Sequence, residues 1–429
     1  MNVDEGYCQK ILEISKRINK AQRPIRILHA IKWDESLIKD LLNSNLKKIP
    51  DIGPDYYARN DLGFDPLKKI LELEEILNDV DRDFGESDPI GNILKRNTNQ
   101  YIDVVRMLLG RGTPEFYKFS KKIFGSTLDY FEGTELRVYE LGKLLDDILS
   151  GLKNSDLGEK YKKNISSEKV VAELNKRLIP FFGGAEINVK LDDGILSDAA
   201  AGSDYIKIKN NTMFSEKDID IFEVHEGQVH LATTINGSRQ SYAKWLAKGP
   251  PCTTVIQEGI AVMMEVLTFS TLPERAKRIN DRLLACEMVE RGSNIKDVLN
   301  FYQEMGQSKE DALENSLRIF RGGVLSGGSP FTKDISYCTG FIQVYNFVRM
   351  NIRLGMPELL PFLFCGKVTL DDVPVLYEYH KKGLINFPQY LPKKFSDLNG
   401  LSVWMAFSSF LNKMKLETLS DKYKSKLAG

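Results

Sequence analysis

His225 and His230 stand five residues apart, with Glu226 directly after the first, in the segment His225-Glu226-Gly227-Gln228-Val229-His230. No other feature restricts the fold as tightly. The surrounding pattern is helical, and in a regular α-helix side chains at i and i+4 share a face, whereas i+5 lies about 140° away. Both imidazoles reach one metal ion only where the helix is locally widened, as a π-bulge does. Gly227 eases irregular backbone in that turn. Neutral imidazoles bind Zn²⁺, and catalytic sites combine three protein ligands with an open position. A glutamate beside the first histidine is then placed to take a proton from water.

The chain has only two further histidines, His29 and His380, both far away in sequence. The third ligand is better sought at Glu258. It falls near the start of a second expected helix, 255–270, which Pro250-Pro251 and Thr253 or Thr254 introduce. Two packed helices then bring His, His and Glu to one point. Glu265, seven residues on and on the same face, reads either as a partner orienting a ligand histidine or as a solvated carboxylate. Glu223 points away from the histidine face of a regular helix.

The rest of the pattern predicts an α+β fold that is mostly helical. Residues 1–165 read as a helical N-terminal lobe, with Ile11, Ile14 and Ile18 on one face and similar periods at 37–42, 67–76, 101–109 and 136–152. Residues 25–31 are compatible with a short strand. Residues 166–429 read as the catalytic region. There 186–191, 196–201 and 205–209 alternate with period two and predict a small antiparallel sheet of about three strands before the histidine helix. Ser215 and Asp218 form a capping-box pattern that opens a helix over 216–234.

The 59 Lys+Arg balance 59 Asp+Glu, which argues against a general nucleic-acid partner. Five scattered cysteines without a CxxC pair fit reduced thiols in a cytoplasmic protein. No apolar run reaches the roughly 18 residues that span a bilayer, so no membrane partner is expected. The best stretch, 401–411, reads as a core helix. The run Gly322 to Gly328 lacks the GK[ST] ending of a phosphate-binding loop.

The HExxxH segment is followed by Gln257-Glu258-Gly259-Ile260-Ala261, Arg321-Gly322-Gly323 and Phe331-Thr332-Lys333-Asp334, with Tyr337 and Gly340 after it. This combination resembles the QEGLA-motif family, with Ile260 replacing the eponymous leucine. The likeness runs from about residue 20 to about residue 400. Bacterial members are called flavohemoglobin expression-modulating QEGLA motif proteins. Animal members include the microtubule-associated tyrosine carboxypeptidases, which remove the C-terminal tyrosine of α-tubulin. HExxxH alone is less specific, since the dipeptidyl-peptidase III family shares it.

The resemblance implies a zinc peptidase in which His225, His230 and Glu258 hold Zn²⁺ and Glu226 is the general base. It implies a carboxypeptidase acting on a peptide or protein C-terminus, with tubulin as a partner by resemblance only. Such an enzyme needs an oxyanion donor, for which Tyr337 is the candidate; its other reading is a core aromatic. It also needs cations for the terminal carboxylate, for which Arg318, Arg321 and Lys333 are candidates, each equally readable as a salt-bridge residue. The strand 205–209 or its neighbour 196–201 is a candidate for binding substrate backbone by strand addition. Two alternatives stay open: a zinc aminopeptidase or dipeptidyl peptidase, and a non-enzymatic helical regulatory protein.

Overall fold

Ile11, Ile14 and Ile18 are buried on one face of the helix Glu5–Gln22. That stripe meets the helices Pro66–Phe84 and Pro89–Leu109. The same hydrophobic cluster continues through Val224 and Val229 beside the histidines, Ile256 and Ile260 around Glu258, and Val344 and Val348 of Ser336–Arg353. The segments that carry these candidate residues are therefore seated in this apolar core, and its burial fixes their positions. The computed structural model describes residues 3–44, 47–152, 157, 161–183, 187–195, 197–414 and 420. Helices dominate these residues and strands are few and short, so the α+β, mostly helical class holds.

Five strands occur among the described residues: β1 Ile165–Ser166, β2 Asn188–Asp192, β3 Ala199–Ala201, β4 Tyr205–Lys209 and β5 Met213–Phe214. β1 pairs antiparallel with β5, a pairing too short to leave a sequence pattern. The other three form a sheet in the order β2-β4-β3. The expectation of an all-antiparallel sheet is corrected here. β3 and β4 are antiparallel, but β2 and β4 are parallel. Period-two alternation reports which face of a strand is buried, not which neighbour it takes. Glu186 and Leu196, at the ends of two expected strands, lie outside the described residues. The buried face, with Val189, Ile206 and Ile208, packs on Val170, Leu174 and Leu178 of the helix Ser167–Phe182.

Two further expectations fail for identifiable reasons. Residues 25–31 contain a helical turn, Ile27–Ala30, rather than a strand. The Ala30 carbonyl is satisfied by the buried Arg111 guanidinium at 2.8 Å instead of by a neighbouring strand. The segment 401–411 does belong to a helix, Asn399–Leu411, but not to a core one. Leu401, Met405 and Ser408 are buried, whereas Trp404, Phe407 and Phe410 are exposed. No helix of the described residues is long and apolar enough to cross a membrane.

Candidate metal centre

The histidine segment is widened over a longer stretch than a single bulge. A capping box at Ser215 and Asp218 starts the helix Glu216–Phe222, as its sequence predicts. The backbone then runs as π-helix over Glu223–Leu231 and returns to α-helix at Ala232–Ser238. A π-helix closes i→i+5 hydrogen bonds, so residues five apart come onto one face. The rings of His225 and His230 meet edge to face with centroids 4.7 Å apart. Gly227 has a steric use as well. Its φ is not positive, but a Cβ there would lie 2.5 Å from Leu178 Cδ2, so glycine lets the widened turn approach the Ser167–Phe182 helix.

Glu258 comes from Cys252–Leu267, which begins three residues before the expected start. Its Oε2 lies 3.4 Å from His225 Nε2 and 3.6 Å from His230 Nε2. The ligand-capable atoms of His225, His230 and Glu258 all fall within 4.8 Å of one another. Glu258 Oε2 is buried and makes no hydrogen bond among the described residues. A buried carboxylate oxygen is stable only with a partner. Between two imidazoles, a divalent cation fits that need, and the N,N,O donor set suits zinc.

The electrostatics point the same way. Burial opposes a charge on His225, yet Glu258 and Glu265 push its imidazole up to about 10. Burial likewise opposes ionisation of Glu258, but Lys333 and the two imidazoles hold its carboxyl well below the usual range. The protein thus holds an anion and favours a cation at the same point.

Glu265 is buried against His225 and is not a solvated carboxylate. It is 1% exposed, and its Oε1 sits 2.7 Å from His225 Nδ1. Arg275, which no local motif marks, donates to both Glu265 oxygens at 2.7 Å. Burial raises the Glu265 carboxyl, but Arg275 and His225 outweigh it and bring it down to about 2. Lys367 was equally invisible in the sequence. Its Nζ donates to His230 O, Thr233 Oγ1 and Gln257 Oε1, each at 2.9 Å, and so ties the π-helix to the Glu258 helix. Burial pushes this ammonium down to about 7 although Glu258 and Glu226 oppose it.

His225, His230, Glu258 and Lys367 line a cleft of about 840 Å³. Glu226 faces it and accepts a hydrogen bond at 2.8 Å from Ala201 N at the end of β3. Tyr337 lines it, with its ring 6.4 Å from that of His225. Burial and Glu258 raise the Tyr337 hydroxyl, keeping it protonated. Arg318, Arg321 and Lys333 also line the cleft, but in different states. Arg318 grips Asp334 through Nε at 2.5 Å and Nη2 at 3.0 Å. Arg321 is 5% exposed and its Nε is buried without a hydrogen-bond partner. Lys333 Nζ is 3.4 Å from Glu258 Oε1. Leu28, His29, Lys32 and Trp33 also line the cleft, so the N-terminal region helps to shape it.

The remaining candidates sit apart from the ligand group. His29 lines the cleft without joining it. His380 Nδ1 is 2.7 Å from Ile385 O, and its ring packs on Phe362. Glu223 pairs with Arg177 and Gln228.

Fold and site together define a mostly helical α+β protein with a cleft lined by a His-Glu group able to hold a metal ion. A family model described as microtubule-associated tyrosine carboxypeptidase matches residues 39–413, and the chain belongs to that family. Membership implies a tyrosine carboxypeptidase activity. No curated protein matches the chain.

Proposed function

We propose that this chain is a zinc-dependent carboxypeptidase that releases a C-terminal tyrosine or other aromatic residue from a peptide or protein, tubulin included. The observation that carries the zinc dependence is the buried Glu258 Oε2, which accepts no hydrogen bond and lies between His225 Nε2 and His230 Nε2. Zinc held by these three residues supplies Lewis acidity for the scissile carbonyl and acidifies a water. Glu226 takes the proton from the attacking water and later delivers it to the leaving amine. Its hydrogen bond from Ala201 N keeps that carboxylate oriented toward the cleft. Tyr337, a protonated hydroxyl beside His225, donates to the developing oxyanion.

Cations decide between a carboxypeptidase and an aminopeptidase. Arg321 and Lys333 receive the terminal carboxylate, because the buried Arg321 guanidinium has unspent donors. Arg318 acts from behind, through its grip on Asp334. An aminopeptidase would instead use carboxylates for a free amine, of which the cleft lining carries Glu35, Asp193 and Glu314. The edge of β3, whose residues line the cleft, takes the substrate backbone upstream of the cleaved bond. We assign the catalytic groups to residues 166–429 and substrate shaping to 1–165, with Trp33 as part of the wall. Five unpaired cysteines and a tubulin-like substrate fit a cytoplasmic setting.

Mass spectrometry of a peptide library with varied C-termini, incubated with the zinc-loaded protein, tests this reading. Loss of one C-terminal residue is expected, with none in Glu226→Gln. Loss from N-termini, or unchanged turnover in Glu226→Gln, would overturn it.

A further inference from the structure

Glu258 divides its carboxylate between two tasks. Oε2 faces the imidazoles, while Oε1 lies 3.4 Å from Lys333 Nζ. Among the described residues, the ion pair of Lys333 is with Glu258. The adjacent Asp334 is taken by Arg318 through two hydrogen bonds. The backbone that carries Lys333 is fixed. Thr332 N donates to Ser120 Oγ at 2.9 Å, Phe331 N donates to Ile319 O at 2.7 Å, and both residues are buried. The side chain is 20% exposed, and that exposed part faces the cleft.

A metal ion on Oε2 and the ammonium on Oε1 would draw on one negative charge at short range. Like charges a few ångströms apart in a buried site disfavour one another. An anion arriving from the cleft relieves this, because it gives Lys333 a counterion of its own.

We propose that Lys333 couples the metal centre to the substrate's terminal carboxylate: when that carboxylate sits on Lys333, Glu258 is released to the metal and the metal is held more tightly. This rests on the zinc carboxypeptidase reading above. Linkage requires the converse, so bound zinc tightens the carboxylate by the same factor. Lys333 is in this respect a positioning residue for Glu258 as well as a substrate contact. The coupling favours a complete metal centre in the substrate-bound protein.

The test measures zinc affinity in a chelator-buffered titration of the full-length Glu226→Gln chain, which prevents turnover. N-acetyl-L-tyrosine supplies a free carboxylate, and N-acetyl-L-tyrosinamide is the same molecule without one. The acid is expected to tighten zinc binding about fivefold or more, within the usual range of coupling between sites, and the amide to leave it unchanged. Adding Lys333→Met should tighten zinc binding without any ligand and reduce the acid's effect to below about twofold, a small remainder on the same scale. Adding Lys333→Arg should keep the acid's effect, which excludes misfolding as the cause of its loss.

An acid effect that is absent, shared by the amide, or undiminished in Lys333→Met overturns the proposal. So does weaker zinc binding in ligand-free Lys333→Met. Zinc binding and C-terminal cleavage without the acid effect sink this inference alone. A protein that binds no zinc sinks it together with the reading on which it rests.

Discussion

Arg275 holds Glu265 by two parallel hydrogen bonds, Nε to Oε2 and Nη2 to Oε1, both 2.7 Å, and Glu265 Oε1 lies 2.7 Å from His225 Nδ1. An ionised carboxylate only accepts, so once a metal displaces the Nε2 proton, Glu265 keeps the remaining proton on Nδ1 and Nε2 is left to ligate. Glu265→Gln and Arg275→Met should each weaken zinc binding roughly 10- to 100-fold, the usual effect of losing such a partner. Competition with a chromophoric chelator measures this. Unchanged affinity in both variants would reduce the chain of contacts to a packing role.

The glycine of Gln257-Glu258-Gly259 has a steric reason. A Cβ on Gly259 would lie 2.2 Å from the Gly340 carbonyl carbon, and one on Gly340 would lie 1.9 Å from Val255 O. Two glycines thus allow Cys252–Leu267 and Ser336–Arg353 to cross in backbone contact, setting Glu258 and Tyr337 in one cleft. Gly259→Ala and Gly340→Ala should each destabilise the fold by about 1–3 kcal/mol or more, the range for overpacking a filled core. Urea denaturation with the wild type alongside gives the comparison.

The ligand set was legible because its chemistry is local. His225, Glu226 and His230 lie within six consecutive residues, Glu258 sits in the first half of the helix Cys252–Leu267, and Glu265 shares its face. The π-helix itself was implied only as a requirement, and nothing in the local sequence gives its nine-residue length. Arg275 and Lys367 were not legible, since a lone cation carries no spacing signal until the fold supplies Glu265 or Gln257. The helix Asn399–Leu411 was misjudged for a related reason. Its sequence is apolar around most of its circumference, and only tertiary structure decides that Met405 is covered while Trp404 is not. The β2–β4 pairing is likewise a matter of topology, about which a five-residue strand is silent.

Asp334 predicts an acid limb in stability. Burial raises its carboxyl, but Arg318 and Arg282 outweigh that and hold it far below its ordinary 3.8. The folded value is depressed, so the unfolded chain binds the proton more readily. The contribution is therefore fully present above about pH 4 and is lost as pH falls through the folded value. Thermal melts from pH 6 to about pH 2.5 should show this loss in the wild type and a shallower one in Asp334→Asn. Parallel curves for the two proteins would mean that Asp334 is not depressed.

Arg318 and Arg321 lie one helical turn apart and line the same cleft, yet their substitutions should fail differently. Removing Arg318 leaves Asp334, 3% exposed, without its bidentate partner. Breaking one side of a buried pair typically costs about 3–5 kcal/mol, so Arg318→Met should unfold more easily and lose activity as a consequence. Arg321 leaves no such orphan, because its Nε makes no hydrogen bond among the described residues and its guanidinium rests 5.7 Å from the Phe331 ring. Burial and repulsion from Arg318 already pull its guanidinium down to about 10, so Arg321→Met removes an unfavourable buried charge. Its melting temperature should hold or rise. Its kcat/KM on a peptide with a free C-terminus should fall about 10- to 100-fold, matching the loss of a charged hydrogen bond of about 1.5–3 kcal/mol. On the corresponding C-terminal amide, a poor substrate for both proteins, the ratio between Arg321→Met and wild type should approach one. An equal loss on acid and amide would remove Arg321 from carboxylate recognition and leave Lys333 as the cation in contact with the substrate.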